Sequence, residues 1–181
     1  MQNIILVGFM GTGKTSIGRE LAKRRGMEFI DLDDVIEERE HMKIADIFKE
    51  KGEPYFRQAE REAVRDVCGR KNLIVAAGGG AVLKQENVGD FASCGIVVCL
   101  EARPEIIVQR TSGHAHRPLL NVAQPIKKIR ELLEKRKSHY DKIADHIDTS
   151  DMSLEEAVEK IMELVSRKIN ATFKDHPPAD L

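Results

Sequence analysis

A chain of 181 residues, 41% hydrophobic and 33% charged, has apolar matter for one core and is too hydrophobic to remain globally disordered. Lys and Arg total 29 against 30 Asp and Glu, a formal net charge of -1, so no overall field draws in nucleic acid or an anionic membrane. Any anion must be held by a local site, and with no Trp and 4% aromatic residues the stacking platforms for single-stranded nucleic acid are poorly supplied.

The opening MQNIILVGFM carries no basic segment before its short apolar run, and no stretch approaches the ~20 apolar residues that span a bilayer. Cys68, Cys94 and Cys99 are odd in number and lack CxxC spacing, which suits reduced, buried thiols rather than a disulfide frame or a zinc site. The expectation is a cytoplasmic protein without nucleic-acid or membrane partners.

In chain order, short apolar runs alternate with segments of helical period, the rhythm of βαβ units around a parallel sheet. Strands are expected at Asn3 to Val7, Glu28 to Ile30, Leu73 to Ala77, Ile96 to Leu100 and near His146 and Ile147. A helix from Lys14 carries Ile17 and Leu21, another spans Val35 to Glu40, and a third from about Pro54 carries Phe56, Ala59, Ala63, Val64 and Val67 on one stripe. Pro104 and Pro125 stand as first-turn residues of helices ending near Arg110 and Ile143. Ser153 with Glu156 has capping-box spacing for a last helix bearing Ala157, Ile161, Leu164 and Val165. After Ile169 the period fades and two prolines follow, so a frayed tail is expected there.

The strongest local signal is Gly8-Phe9-Met10-Gly11-Thr12-Gly13-Lys14-Thr15, a GxxxxGKT pattern between a strand and a helix. Gly8, Gly11 and Gly13 let backbone N–H groups converge on phosphate oxygens at a helix N-terminus whose dipole favours the same charge. Lys14 reaches the β- and γ-phosphates, and the Thr15 hydroxyl suits Mg²⁺. No NKxD element for guanine exists, and the third strand runs into Gly78-Gly79-Gly80 where a motor ATPase has an acid. Asp31 and Asp33, at the end of the second strand, supply the carboxylates instead. Strand alternation puts them on one side, one for Mg²⁺ and one for an acceptor hydroxyl, whereas Asp34 points elsewhere or caps the helix that follows.

With the DxD pair Asp31 and Asp33 after the phosphate loop, the chain resembles the shikimate kinase family. Gly52 to Glu60 reads like that family's GExxFRxxE. Gly78 to Gly80 resembles its glycine run, Arg117-Pro118-Leu119-Leu120 its lid, and Arg136 with Tyr140 its late segment. The likeness covers about residues 3–168. It departs at His41-Met42-Lys43 and at His139 and Asp141, so only Arg136 and Tyr140 are carried over from the late segment.

The resemblance implies a three-layer α/β P-loop fold with a five-stranded parallel sheet of order 2-3-1-4-5. It implies a single domain over 1–170, with a substrate-binding segment at about 32–60 and a lid at about 111–122; the tail at 171–181 lies outside the likeness and is expected to be flexible from its lost period and two prolines. It implies transfer of the ATP γ-phosphoryl to the 3-hydroxyl of shikimate, on the route to aromatic amino acids, by a Mg²⁺-dependent monomer. Catalysis then falls to Lys14, Asp33 and Arg117. ATP falls to Gly11, Thr12, Gly13, Lys14, Thr15, Ser16, Arg110 and Arg117, the substrate to Asp33, Arg57, Gly78, Gly79, Gly80 and Arg136, and the metal to Thr15 and Asp31. The chemistry of the parts agrees, since a guanidinium from Arg57 or Arg136 forks onto a carboxylate. A closing Arg117 serves the charge that spreads in phosphoryl transfer, while His114 and His116, two apart on the same loop, read as solvated. Two alternatives stay open: another small-metabolite kinase, such as one for gluconate, and a nucleotide-binding module without turnover. The joint presence of Lys14, Asp33 and Arg117 argues against the second.

Overall fold

Six consecutive buried residues, Asn3 to Gly8, form strand β1, the middle of the sheet in this computed structural model, which describes residues 2–112 and 124–175, with side chains through 171. Around it lie β2 (Glu28–Asp31), β3 (Leu73–Ala76), β4 (Gly95–Glu101) and β5 (His146–Asp148), in the order β2-β3-β1-β4-β5. All pairings are parallel, with Ile4 opposite both Ile74 and Ile96. The expected sheet order is the observed one.

The period of two divides the core. Ile4 and Leu6 face one side with Ile74, Val98 and Leu100, where they meet Ile17 and Leu21 of α1 (Lys14–Arg25) and Val158, Ile161 and Val165 of α8 (Leu154–Asp175). Ile5 and Val7 face the other with Val75, packed against Val64 and Val67 of α4 (Gly52–Cys68), Phe91 of α5 (Gln85–Cys94) and Ile129 of α7 (Pro125–Tyr140). Both faces of the sheet are covered, so only the strand ends can open onto a ligand.

The helices α2 (Leu32–Glu40), α3 (Ile44–Glu50) and α6 (Pro104–Thr111) complete the described set, with a 3₁₀ turn at Ala81–Leu83. The capping box at α8 forms as expected: Ser153 N–H donates to Glu156 Oε2 at 2.8 Å and Glu156 N–H to Ser153 Oγ at 3.2 Å. Helix α8 runs on to Asp175, past the expected fraying at Ile169. Helix α2 starts at Leu32, before the expected Val35, because Asp31 is its N-cap: Oδ1 accepts from the Asp33 N–H at 3.1 Å. Strand alternation therefore does not relate Asp31 to Asp33, which stands in the first helical turn, and Asp34 is not the cap. Helices α3 and α5 were not expected. The first has seven residues with only Ile47 buried, and the second is interrupted by Gly89, so neither carries a legible stripe.

Candidate active site

The strand-to-helix turn after β1 builds the phosphate loop. Gly8 has φ +133°, and a Cβ there would lie 2.1 Å from the Leu100 carbonyl oxygen, so β4 passes too close for any side chain. No side chain caps α1, and its first turn holds no acid, which leaves the helix N-terminus to an anion. Thr12 is buried, and its hydroxyl closes the loop onto the Phe9 carbonyl at 2.8 Å. The Lys14 ammonium folds over the same turn, donating to the Gly8 and Phe9 carbonyls at 2.8 Å each.

A cavity of about 420 Å³ opens beside this turn, lined by Gly11, Gly13, Lys14, Thr15, Ser16 and Arg110 among others. Arg110 is held there by two donations to Thr149, to Oγ1 at 2.9 Å and to the carbonyl at 2.7 Å. The Thr149 hydroxyl lies 3.1 Å from the Thr12 carbonyl, joining the segment after β5 to the phosphate loop. Thr149, Met152, Leu154 and Ala157 complete the wall. Sequence reasoning did not assign them to the site, because the capping box at Ser153 and the stripe position of Ala157 mark only a helix, and no nucleotide motif accompanies them.

Across the loop stands the carboxylate group. The Thr15 hydroxyl donates to Asp31 Oδ2 at 2.8 Å, so a hydroxyl and a carboxylate share one position at the end of β2. Burial, and then the neighbouring Asp31 carboxylate, push Asp33 from 3.8 up to about 6, and Lys14 offsets part of that. Oxygen donors around surplus negative charge fit a hard divalent cation such as Mg²⁺.

The third patch is built on Gly78, Gly79 and Gly80, after β3. A Cβ on Gly78 would lie 2.7 Å from Asp33 Oδ1 and 3.2 Å from Glu60 Oε1, and one on Gly80 2.5 Å from Arg57 Nη1. The run is a bare shelf onto which two acids and an arginine fold from α2 and α4. Arg57 donates to Glu60 Oε2 at 2.8 Å and to Glu53 Oε1 at 3.0 Å, which fixes its fork. From α7, Arg136 Nη1 donates to the Gly79 carbonyl at 3.2 Å, and the guanidinium lies 5.6 Å from the centre of the Phe9 ring. Tyr140 donates to that same carbonyl at 2.6 Å, and burial raises its phenol to about 12, so it stays a donor. Tyr140 is thus more than packing.

Glu60 also escaped the sequence assignment, although it closes the GExxFRxxE stretch. It is 1% exposed, burial raises its carboxyl, and Oε1 has no hydrogen-bond partner among the described residues. A buried acceptor without a partner, facing a glycine shelf, is a place for a ligand hydroxyl. Arg117, His114 and His116 lie outside the described residues, as does most of the expected lid; Thr111 closes α6.

The structure thus brings Lys14, Thr15, Asp31, Asp33, Arg57, Gly78, Gly79, Gly80 and Arg136 to the carboxyl edge of one sheet. A phosphate loop there adjoins a shelf flanked by two acids and two arginines.

Comparison with known proteins agrees with that chemistry. The family model described as Shikimate kinase matches residues 10–166. The shikimate kinase of Thermodesulfovibrio yellowstonii is 42% identical over 170 residues, covering 94% of this chain and 98% of that protein. That of Thermus thermophilus is 43% identical over 169 residues, covering 93% and 92%. Among solved structures, shikimate kinase from Acinetobacter baumannii in complex with shikimate superposes with a TM-score of 0.88 at 38% identity, covering 93% of this chain and 94% of that one. A gluconokinase from Sinorhizobium meliloti shares the fold, with a TM-score of 0.62 at 18% identity over 97% and 98% of the two chains. At 42% identity along nearly its whole length, and with the family model spanning its core, this chain belongs to the shikimate kinase family.

Proposed function

We propose that the glycine shelf seats shikimate beside the phosphate loop and that the residues around it transfer the ATP γ-phosphoryl to the 3-hydroxyl. The products are shikimate 3-phosphate and ADP, in the route to aromatic amino acids. The observation that carries this reading is the shelf itself: Asp33 and Glu60 face Gly78, and Arg57 faces Gly80. One small molecule with a carboxylate at one end and hydroxyls at the other satisfies both sets.

Arg57 and Arg136 take the carboxylate, Arg57 in the forked geometry that Glu53 and Glu60 hold ready. Asp33 and Glu60 accept hydrogen bonds from the ring hydroxyls. Asp33, ionised above about pH 6, takes the proton of the attacking 3-hydroxyl as its oxygen reaches phosphorus in line with the departing ADP oxygen. The bond from the γ-phosphorus to the bridging oxygen breaks, and no phosphoenzyme forms. Lys14 leaves the Gly8 and Phe9 carbonyls for the β- and γ-phosphates, and the uncapped N-terminus of α1 takes phosphate oxygens. The base lies across the cavity wall made by Arg110, Thr149 and Met152.

Thr15 and Asp31 would hold Mg²⁺. When bound, the ion neutralises charge on the β- and γ-phosphates. Arg117, by its family motif, supplies a further cation on closure and excludes water. Residues 1–170 act as one domain, with 32–60 as the substrate-binding segment and 111–122 as the lid. The proposed enzyme is a monomer, and its setting is the cytoplasm.

An acceptor-dependent ADP-release assay tests this. Shikimate should drive turnover and gluconate should not; release driven equally by gluconate, or independent of any acceptor, would reject it. Sedimentation at assay concentration tests the monomer.

A further inference from the structure

Cys68 closes α4 and Cys94 closes α5, and their sulfurs lie 2.7 Å apart. Non-bonded heavy atoms rest at about 3.5–4.0 Å, while a disulfide is formed at about 2.05 Å, so ~0.7 Å of approach separates this pair from a covalent bond. Both thiols are only half-buried, which leaves them open to a small oxidant, unlike Cys99, which is 1% exposed inside β4. All three thiols are free, as expected, but the expected burial holds for Cys99 alone. The pair is also asymmetric: the sulfur–sulfur contact lowers Cys94 and raises Cys68, making Cys94 the readier thiolate.

The two helices are already tied together near the substrate shelf. Arg61 of α4 pairs with Asp90 of α5. Asn87 of α5 donates to the Ala81 carbonyl at 2.9 Å, one residue past the shelf. A covalent link between Cys68 and Cys94 would thus fasten the helix that carries Arg57 and Glu60 to the helix that holds Ala81, the residue after the shelf.

We infer that Cys68 and Cys94 are a site of reversible oxidative modification, closed to an intramolecular disulfide by hydrogen peroxide. The Cys94 thiolate attacks one peroxide oxygen; the O–O bond breaks, a proton completes the departing water, and a sulfenic acid remains. Cys68 then attacks that sulfur, releasing a second water. The two sulfurs give up two electrons, which reduce one peroxide to two waters. A dithiol reductant reverses the step.

The test uses the full chain, reduced and then titrated with hydrogen peroxide, followed by thiol alkylation in denaturant and peptide mapping without reductant. Alkylatable thiols should fall from the three in the sequence to Cys99 alone, with a cross-linked peptide pair lighter by two hydrogens. Closing a loop with ends 26 positions apart should raise Tm by about 5–10 °C, reversibly with dithiothreitol. The rise should vanish in Cys68→Ser and Cys94→Ser and persist in Cys99→Ser. Three surviving thiols, a sulfinic acid on Cys94 without the cross-link, or dimers joined through any cysteine would each overturn the inference. Mapping of the unmutated protein decides even if a variant fails to fold.

Discussion

Replacing Asp33 by Asn should make the protein more stable and nearly inactive, and the size of the first effect follows from the site. A carboxyl moved from 3.8 to about 6 by burial and by Asp31 is harder to ionise in the folded state than in the unfolded one. The folded state therefore holds its proton more tightly, and stability is lost as pH rises from 3.8 to about 6, then stays lost above it. Asn carries no such burden. Integrating the linkage, the variant's advantage should be about 1 kcal/mol at pH 4.5 and about 3 kcal/mol at pH 7.5. At this chain length the larger figure is a rise in Tm of about 6–12 °C.

Urea unfolding of both proteins at the two pH values, without nucleotide, measures the difference, and isothermal titration checks that nucleotide binding persists. Turnover should fall by about 10² or more, the usual scale for losing a positioned base. An advantage that does not grow with pH would refute the electrostatic account, and unchanged kcat would remove Asp33 from the chemistry.

Since Asp33 must be ionised to accept a proton, kcat/KM should fall on the acid side with an apparent pKa near 6, and an acid limb near 4 would point to a solvated carboxyl. Arg57→Ala should raise the shikimate KM by about 10- to 100-fold, the worth of a charged fork, while nucleotide affinity measured by titration stays put; an equal loss of both would indicate misfolding. Gly80→Ala needs no unusual backbone, as φ is -106°, but its methyl lands 2.5 Å from Arg57 Nη1, so it should reproduce the Arg57→Ala phenotype without removing the charge. Wild-type kinetics in Gly80→Ala would mean the guanidinium does not lie on the shelf. Lys14→Met should lose turnover by about 10² or more and weaken ATP, with the unfolding midpoint little changed.

The sequence was most legible where geometry is dictated locally. The phosphate loop requires glycines at fixed offsets between a strand and a helix, and the capping box at Ser153 requires one spacing, so both could be located to the residue. The parallel strands were legible because burial on two faces leaves short apolar runs. The DxD pair was found for an incomplete reason. Asp31 ends the strand and caps α2, so the two acids meet through a helix start rather than through alternation.

What stayed hidden depends on contacts between distant segments. Glu60 reads as one more acid on a polar helix until the glycine shelf folds against it, and Thr149 reads as a loop threonine until β5 docks. The proximity of Cys68 to Cys94 likewise depends on how α4 and α5 end, and α5 itself carried no readable stripe.

The nucleotide cavity takes one wall from Gly11 to Ile17 and the facing wall from Thr149 to Ala157, with the Thr149 hydroxyl at the seam. During synthesis the amino-terminal half of the pocket thus leaves the ribosome long before its complement. If the nucleotide sits as proposed, an incomplete nascent chain has the glycine turn yet lacks the wall from Thr149 to Ala157, and ATP binding should require the last helix. Any truncation ahead of that point should leave a polypeptide that looks equipped for nucleotide and cannot retain it.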